Sequence, residues 1–188
     1  MSLKVFPSHV AVLVRSVKKA ADFLKKFDFQ IGQEEIFEGE GTKEIYVEYD
    51  NANSLLLMEP TRAGPYQRAL EKRGPGIHHL AIDVLDIENF IHSLVGSGWL
   101  LHPSSLKTMK KSKTVYLARP GFPGLIEVQE REKITSRPLF VEGISLKTDA
   151  AHSGLLDSIG LGSIVTPSIQ PTELILSGKR IPLSDFIS

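Results

Sequence analysis

Apolar and polar positions along the chain change their period in a repeating order. Residues 8–27, SHVAVLVRSVKKAADFLKKF, open with a continuous apolar run and then place Val17, Ala20, Ala21, Leu24 and Phe27 three or four apart. The first pattern predicts a buried strand and the second a helix with one core-facing stripe. Residues 78–97, HHLAIDVLDIENFIHSLVGS, repeat that order. Here the helical stripe is Ile87, Phe90, Ile91, Leu94 and Val95, with Asp86 as N-cap and a stop at Gly96 and Gly98. Laid over one another, the two stretches align His9 with His79, Val14 with Val84 and Leu24 with Leu94, a spacing of about seventy residues.

The match continues beyond the helices. FQIGQEEIFEG, TKEIYVEYD and NSLLLMEP follow the first, with turns at Glu-Gly-Glu-Gly and at Asn51–Asn53; WLLHPSS, KTVYLARP and LIEVQE follow the second. These β-rich runs are bounded by Gly, Pro and Asn, and PSSLKTMKKSKT reads as a solvated loop. Each copy is therefore β-α-β-β-β, and because one copy cannot cover its own sheet, two must pack together. The expected organisation is a first module over 1–60, a linker over 61–76 with a short helix at Tyr66–Arg73, and a second module over 77–133. Residues 134–188 predict a partial third, βαββ-like unit, with a helix carrying Leu155, Leu156 and Ile159 and a hairpin turning at Ser-Gly. No histidine opens its first strand, where Val141 and Gly143 lie. The tail reads as a structural cover for a sheet edge, with a lid or specificity element as the alternative. The fold class is α+β.

Composition narrows the classes of function. Lys+Arg and Asp+Glu both number 22 in 188 residues, so no excess charge favours nucleic acid or an anionic membrane. There are no cysteines, which excludes disulfides, thiolate zinc sites and a cysteine nucleophile. No run has the ~18 apolar residues of a membrane helix, and the N-terminal stretch lacks the long apolar segment of a signal peptide. A soluble, cytoplasmic protein acting on a small molecule is expected.

His9 and His79 hold the same station at the head of equivalent strands. Either alone is more often a core residue held by a backbone carbonyl, and Glu127 alone could sit on a solvated sheet face. Glu127 lies between Ile126 and Val128 at mid-strand, and a carboxylate there is costly unless paired or ligating. Two histidines and one carboxylate, brought together by the repeat, form a recognised divalent-metal set. His78 points to the opposite face by alternation and reads as structural or surface. His92, His102 and His152 read as solvent-facing.

The segments HVAVLV, GPGIHHLAIDV and LIEVQE resemble the vicinal oxygen chelate superfamily over about residues 7–131, and the phrase GPGIHHLAIDVLDIE resembles its methylmalonyl-CoA epimerase and glyoxalase I-like branch. The resemblance implies paired βαβββ modules forming a U-shaped mixed sheet around a divalent metal (Co, Ni, Zn, Mn or Fe), often in a homodimer. It implies His9, His79 and Glu127 as metal ligands. The family's second ligand falls on Leu56, which cannot ligate; Glu59, three residues on, belongs to the opposite face. It further implies Glu44 and Glu127 as the two groups that move a proton next to a carbonyl. The branch's usual glycine cluster is missing from PSSLKTMKKSKT, whose Lys107, Lys110, Lys111 and Lys113 could instead meet a phosphorylated or CoA-like substrate. Three readings follow: a metal-dependent lyase or isomerase, an Fe(II) extradiol-type dioxygenase, and a non-enzymatic small-molecule binder.

Overall fold

The computed structural model describes residues 4–48, 52–134 and 138–187. The first repeat runs through β1 (Val5–Leu13), α1 (Val17–Lys25), β2 (Gln30–Ile31), β3 (Glu35–Phe37), β4 (Thr42–Glu48) and β5 (Ser54–Pro60). Helix α2 (Pro65–Arg73) follows, and Gly74, at φ 77°, ends it in a backbone conformation that side chains rarely adopt. The second repeat is β6 (Gly76–Val84), α3 (Ile87–Ser93), β7 (Leu100–Leu101), α4 (Ser105–Ser112), β8 (Thr114–Ala118) and β9 (Leu125–Glu130). The expected turn at Asn51–Asn53 begins outside the described residues. Asp86 caps α3 by accepting from Asn89 N at 2.9 Å, and Ser16 caps α1.

These strands form one nine-stranded mixed sheet in the order β2-β4-β5-β1-β6-β9-β8-β7, with β3 on β4. β1 meets β6 antiparallel, and Val10 pairs with Leu80, its own counterpart in the repeat. A pseudo-two-fold axis therefore passes through that pair. The α+β fold of paired βαβββ modules is the one observed.

The sheet has two different faces. On the back, Val10, Val12, Leu55, Leu80 and Ile82 share one hydrophobic cluster with α1, α3 and the tail. Leu24 and Phe90 are 0% exposed there, each contributing about 1.5–3 kcal/mol by burial. On the front, Ala11, Leu13, Leu56 and Met58 pack under Leu70 of α2. The linker helix thus fills the first module's half of the front face.

Several expectations are corrected. The lysine-rich segment is not a loop but helix α4, because its small polar side chains bond strand β8: Ser105 Oγ accepts from Tyr116 N at 2.8 Å, and Thr108 Oγ1 donates to Thr114 O at 2.7 Å. The strand expected across WLLHPSS shrinks to Leu100–Leu101. Val95 is 84% exposed, since α3 ends at Ser93 before its stripe reaches that residue.

The tail has β10 (Val141–Lys147), α5 (Ser153–Ser158), β11 (Val165–Ser168), β12 (Glu173–Leu176) and β13 (Lys179–Pro182). Its hairpin turns at Ser177-Gly178 as the pattern predicts. Its strand order, β11-β10-β12-β13, differs from the modules: the first strand pairs in parallel with the second strand rather than the last. It also covers the back face of the large sheet rather than an edge, since that face presents a broader apolar surface. Asn53 (2% exposed) joins the two sheets: its Oδ1 accepts from Phe140 N at 2.7 Å and Val141 N at 2.8 Å, and its Nδ2 donates to Val141 O at 3.0 Å. Asn53→Ala leaves three buried backbone groups unpaired and is expected to cost about 3 kcal/mol in urea unfolding; a loss below about 1 kcal/mol contradicts this role. Among the described residues, no helix is long and apolar enough to cross a membrane.

Candidate functional site

A β-bulge precedes each of the two strand-one histidines. Pro7 pairs with Ile82 and His9 with Ala81, so Ser8 has no opposite; Ala11 pairs with His79 and Val12 with Ile77, so His78 has none. Ser8 and His78 are repeat equivalents. Such bulges bend a strand and re-aim the side chains beside them. His9 and His79 then lie diagonally across the β1–β6 pair on the front face, close to the pseudo-axis, where long side chains reach one another.

Glu127 joins them from β9, where it sits opposite Ala81. His9 Nε2 lies 3.0 Å from His79 Nε2 and 3.4 Å from Glu127 Oε2, and His79 Nε2 lies 3.3 Å from the same oxygen. Ligand atoms at 2.0–2.1 Å from one ion lie about 3.0 Å apart on an octahedral face and about 3.4 Å apart in a tetrahedron. The triangle therefore has the dimensions of a three-ligand metal face, and all three residues are buried. The donor set, two imidazoles and a carboxylate, suits a divalent transition metal.

Electrostatics keep the group able to ligate. Burial lowers His79, which leaves its imidazole neutral at neutral pH, and the Glu127 contact only partly opposes this. Burial alone would raise the Glu127 carboxyl. The contacts from His79 and His9 outweigh that and hold it well below the usual carboxylate range.

The register identifies what stands at the fourth corner. Ala11 pairs with Leu56 as Ala81 pairs with Glu127, so Leu56 is the structural equivalent of Glu127. Glu59 is not brought in by a bulge. Its Oε2 accepts from Val17 N at 2.9 Å, and Lys43 lies 3.4 Å from its other oxygen. Glu130 does the same for Ile87 N at 3.2 Å and is paired with Lys113, so the repeat duplicates this helix-capping carboxylate–lysine pair.

Glu44 is 6% exposed on β4, two residues from Tyr46, which faces Leu56. Burial raises its carboxyl, while Thr42 Oγ1, donating to Glu44 Oε1 at 2.7 Å, opposes the shift. It feels the charges of His9 and Glu127 but is hydrogen-bonded to neither.

His78 corrects the alternation rule. The bulge turns it to the front, where its Nδ1 lies 2.9 Å from His79 Nδ1 and its ring meets Tyr66 of α2 at 4.9 Å. His92 is exposed as expected, but His102 and His152 are half-buried and bonded to Ser104 Oγ and Thr148 Oγ1. Two tyrosines escaped the sequence reading. Tyr116 OH donates to Glu127 Oε1 at 3.0 Å, and Tyr46 meets the His9 ring edge-on at 6.2 Å. They are repeat equivalents, and that coincidence was the available signal. Beside the triangle opens a cleft of about 970 Å³ walled by Tyr66, His78, His102, Lys107 and Tyr116.

Solved structures share this fold. A hypothetical protein from Bacillus halodurans is 22% identical, with 71% of this chain and 99% of that chain covered and a TM-score of 0.58. A variant of Streptomyces coelicolor methylmalonyl-CoA epimerase in complex with 2-nitronate-propionyl-CoA is 18% identical over 68% of this chain and 96% of its own, at a TM-score of 0.53. The methylmalonyl-CoA epimerase from Mycobacterium tuberculosis is 22% identical over 66% and 86%, at 0.50. Identities this low carry the fold alone. No curated protein matches the sequence. The family model of the glyoxalase/bleomycin resistance protein/dioxygenase superfamily matches residues 8–116. That span is more than half of the chain, and it includes both strand-one histidines, the linker helix and Tyr116; this protein belongs to that superfamily.

Proposed function

We propose that this protein is a divalent-metal-dependent isomerase or lyase that moves a proton on the carbon next to a substrate carbonyl. The observation that carries the reading is the buried His9–His79–Glu127 triangle, with edges of 3.0–3.4 Å, beside a cleft large enough for a small molecule. A divalent ion held by those three side chains would supply Lewis-acid polarisation of a carbonyl oxygen. His9 and His79 offer nitrogen donors from equivalent strands, and Glu127 offers the negative charge. Glu44 is our candidate for the group that takes the α-proton, because burial raises its carboxyl toward the range where a general base works. Glu127, from the opposite half of the sheet, is the candidate for the complementary position. The named similar structures include epimerases of methylmalonyl-CoA, a thioester with an acidic α-proton, and this suggests the substrate type to try first.

Leu56 supports a second reading. With an aliphatic side chain in the fourth corner, the site is a two-histidine, one-carboxylate face, the set that non-haem Fe(II) oxygenases use. One experiment separates the two. The protein is loaded in turn with Co²⁺, Ni²⁺, Zn²⁺, Mn²⁺ and Fe²⁺ and incubated in D₂O with methylmalonyl-CoA and a panel of 2-oxo compounds. Deuterium uptake at the α-carbon above the uncatalysed rate, lost in Glu44→Gln at unchanged metal content, is the expected result. Absence of exchange across the panel, with O₂ consumed on a catechol by the iron form, overturns the isomerase in favour of the dioxygenase. Absence of both, with metal bound, leaves a binding protein and overturns both enzymes.

A further inference from the structure

The two metal-binding groups of the second repeat are each held from behind by a side chain that also walls the cleft. His79 directs Nε2 into the triangle, while its Nδ1 lies 2.9 Å from His78 Nδ1. Glu127 directs Oε2 at the imidazoles, while its Oε1 accepts from Tyr116 OH at 3.0 Å. His78 and Tyr116 both line the 970 Å³ cleft, and none of the three triangle residues does. His78 is itself fixed: it is 9% exposed and packs on Tyr66, whose OH donates to Glu40 Oε2 at 3.0 Å.

The first repeat serves as an internal control. Ser8 stands where His78 does, and Tyr46 stands where Tyr116 does but faces Leu56, which has no oxygen to receive a hydrogen bond. The backing arrangement therefore does not follow from the strand geometry that both halves share. It exists only where two metal-binding groups come from the same half. We infer that His78 and Tyr116, which line the cleft, are positioning residues for the metal site. A His79 imidazole that donates Nδ1–H to His78 Nδ1 has its Nε2 lone pair free and its ring orientation set; a Glu127 carboxylate tied through Oε1 presents one oxygen to the site.

The inference rests on the reading of the triangle as a metal site, and the test separates the two. Co²⁺ binding to the full chain is followed by calorimetry and by visible absorption for the wild type, His78→Phe, His78→Asn and Tyr116→Phe. Outer partners of this kind are worth about 10–100-fold in metal affinity. The phenylalanine variants should each weaken Co²⁺ binding by about that factor and change the Co²⁺ absorption, which a merely structural role would leave unmoved. His78→Asn, which keeps an acceptor at the Nδ1 position, should recover most of the loss. If His78→Phe fails to fold, Tyr116→Phe, which removes a single oxygen, carries the test. Affinity within twofold of wild type in the phenylalanine variants, or no recovery in His78→Asn, overturns the inference while leaving the metal site intact. A wild type that binds no Co²⁺ overturns the metal-site reading and this inference with it.

Discussion

Acidifying the metal-free protein from about pH 6.5 to about pH 4.5 is expected to remove about 2 kcal/mol of its stability through His78, with His79 adding a loss of the same sign. Burial lowers His78 to about 3 and lowers His79 as well. An unfolded histidine titrates near 6.5, so below that pH the unfolded chain binds protons that the native chain refuses. The stability is complete above about pH 6.5 and is lost as pH falls, at up to about 1.4 kcal/mol per pH unit through His78, and His79 steepens the loss. Glu44 has the opposite sign. Its carboxyl is raised by burial, so the native state takes up that proton first and offsets up to about 1.4 kcal/mol per unit within its own window. Urea unfolding at pH 7, 6 and 5 measures the net slope, and His78→Asn should reduce it by about 1.4 kcal/mol per unit. A stability that stays level from pH 7 to pH 5 contradicts the burial of the histidine pair.

Replacing Glu127 with leucine is expected to lower Co²⁺ affinity by at least about a thousandfold, or about 4 kcal/mol, because it removes the one negatively charged donor. The repeat itself suggests leucine as the substitution. Leu56 occupies the equivalent register position on β5 and is 3% exposed, so an aliphatic side chain is already accommodated on that face. Circular dichroism should remain that of a folded chain, and calorimetric titration reads the affinity. A variant that binds Co²⁺ within about tenfold of wild type would remove Glu127 from the site.

Much of this architecture was legible because it is written twice. The seventy-residue offset that aligns His9 with His79 also pairs Val10 with Leu80 across the β1–β6 junction, so one periodicity in the chain specifies both the repeat and its axis. Leu56 was picked out from the family resemblance instead, and the strand register independently makes it the counterpart of Glu127. What stayed hidden has local or long-range physical causes. A strand's alternation says nothing of bulges, so His78 was assigned to the wrong face. Helix α4 owes its existence to Ser105 and Thr108 bonding a strand that follows them, and a polar, lysine-rich composition does not announce that. Asn53 bonds a strand 88 residues away, and no short-range pattern marks it. The tail's helix and hairpin were visible, yet its distinct strand order depends on which edge of β10 each partner meets.

The convergence of His9, His79 and Glu127 is tested most directly by an anomalous difference map from a crystal soaked in Co²⁺. A single peak within coordination distance of His9 Nε2, His79 Nε2 and Glu127 Oε2 is the predicted result. A peak elsewhere, or clear density for the three side chains with no ion between them at saturating cobalt, would contradict it.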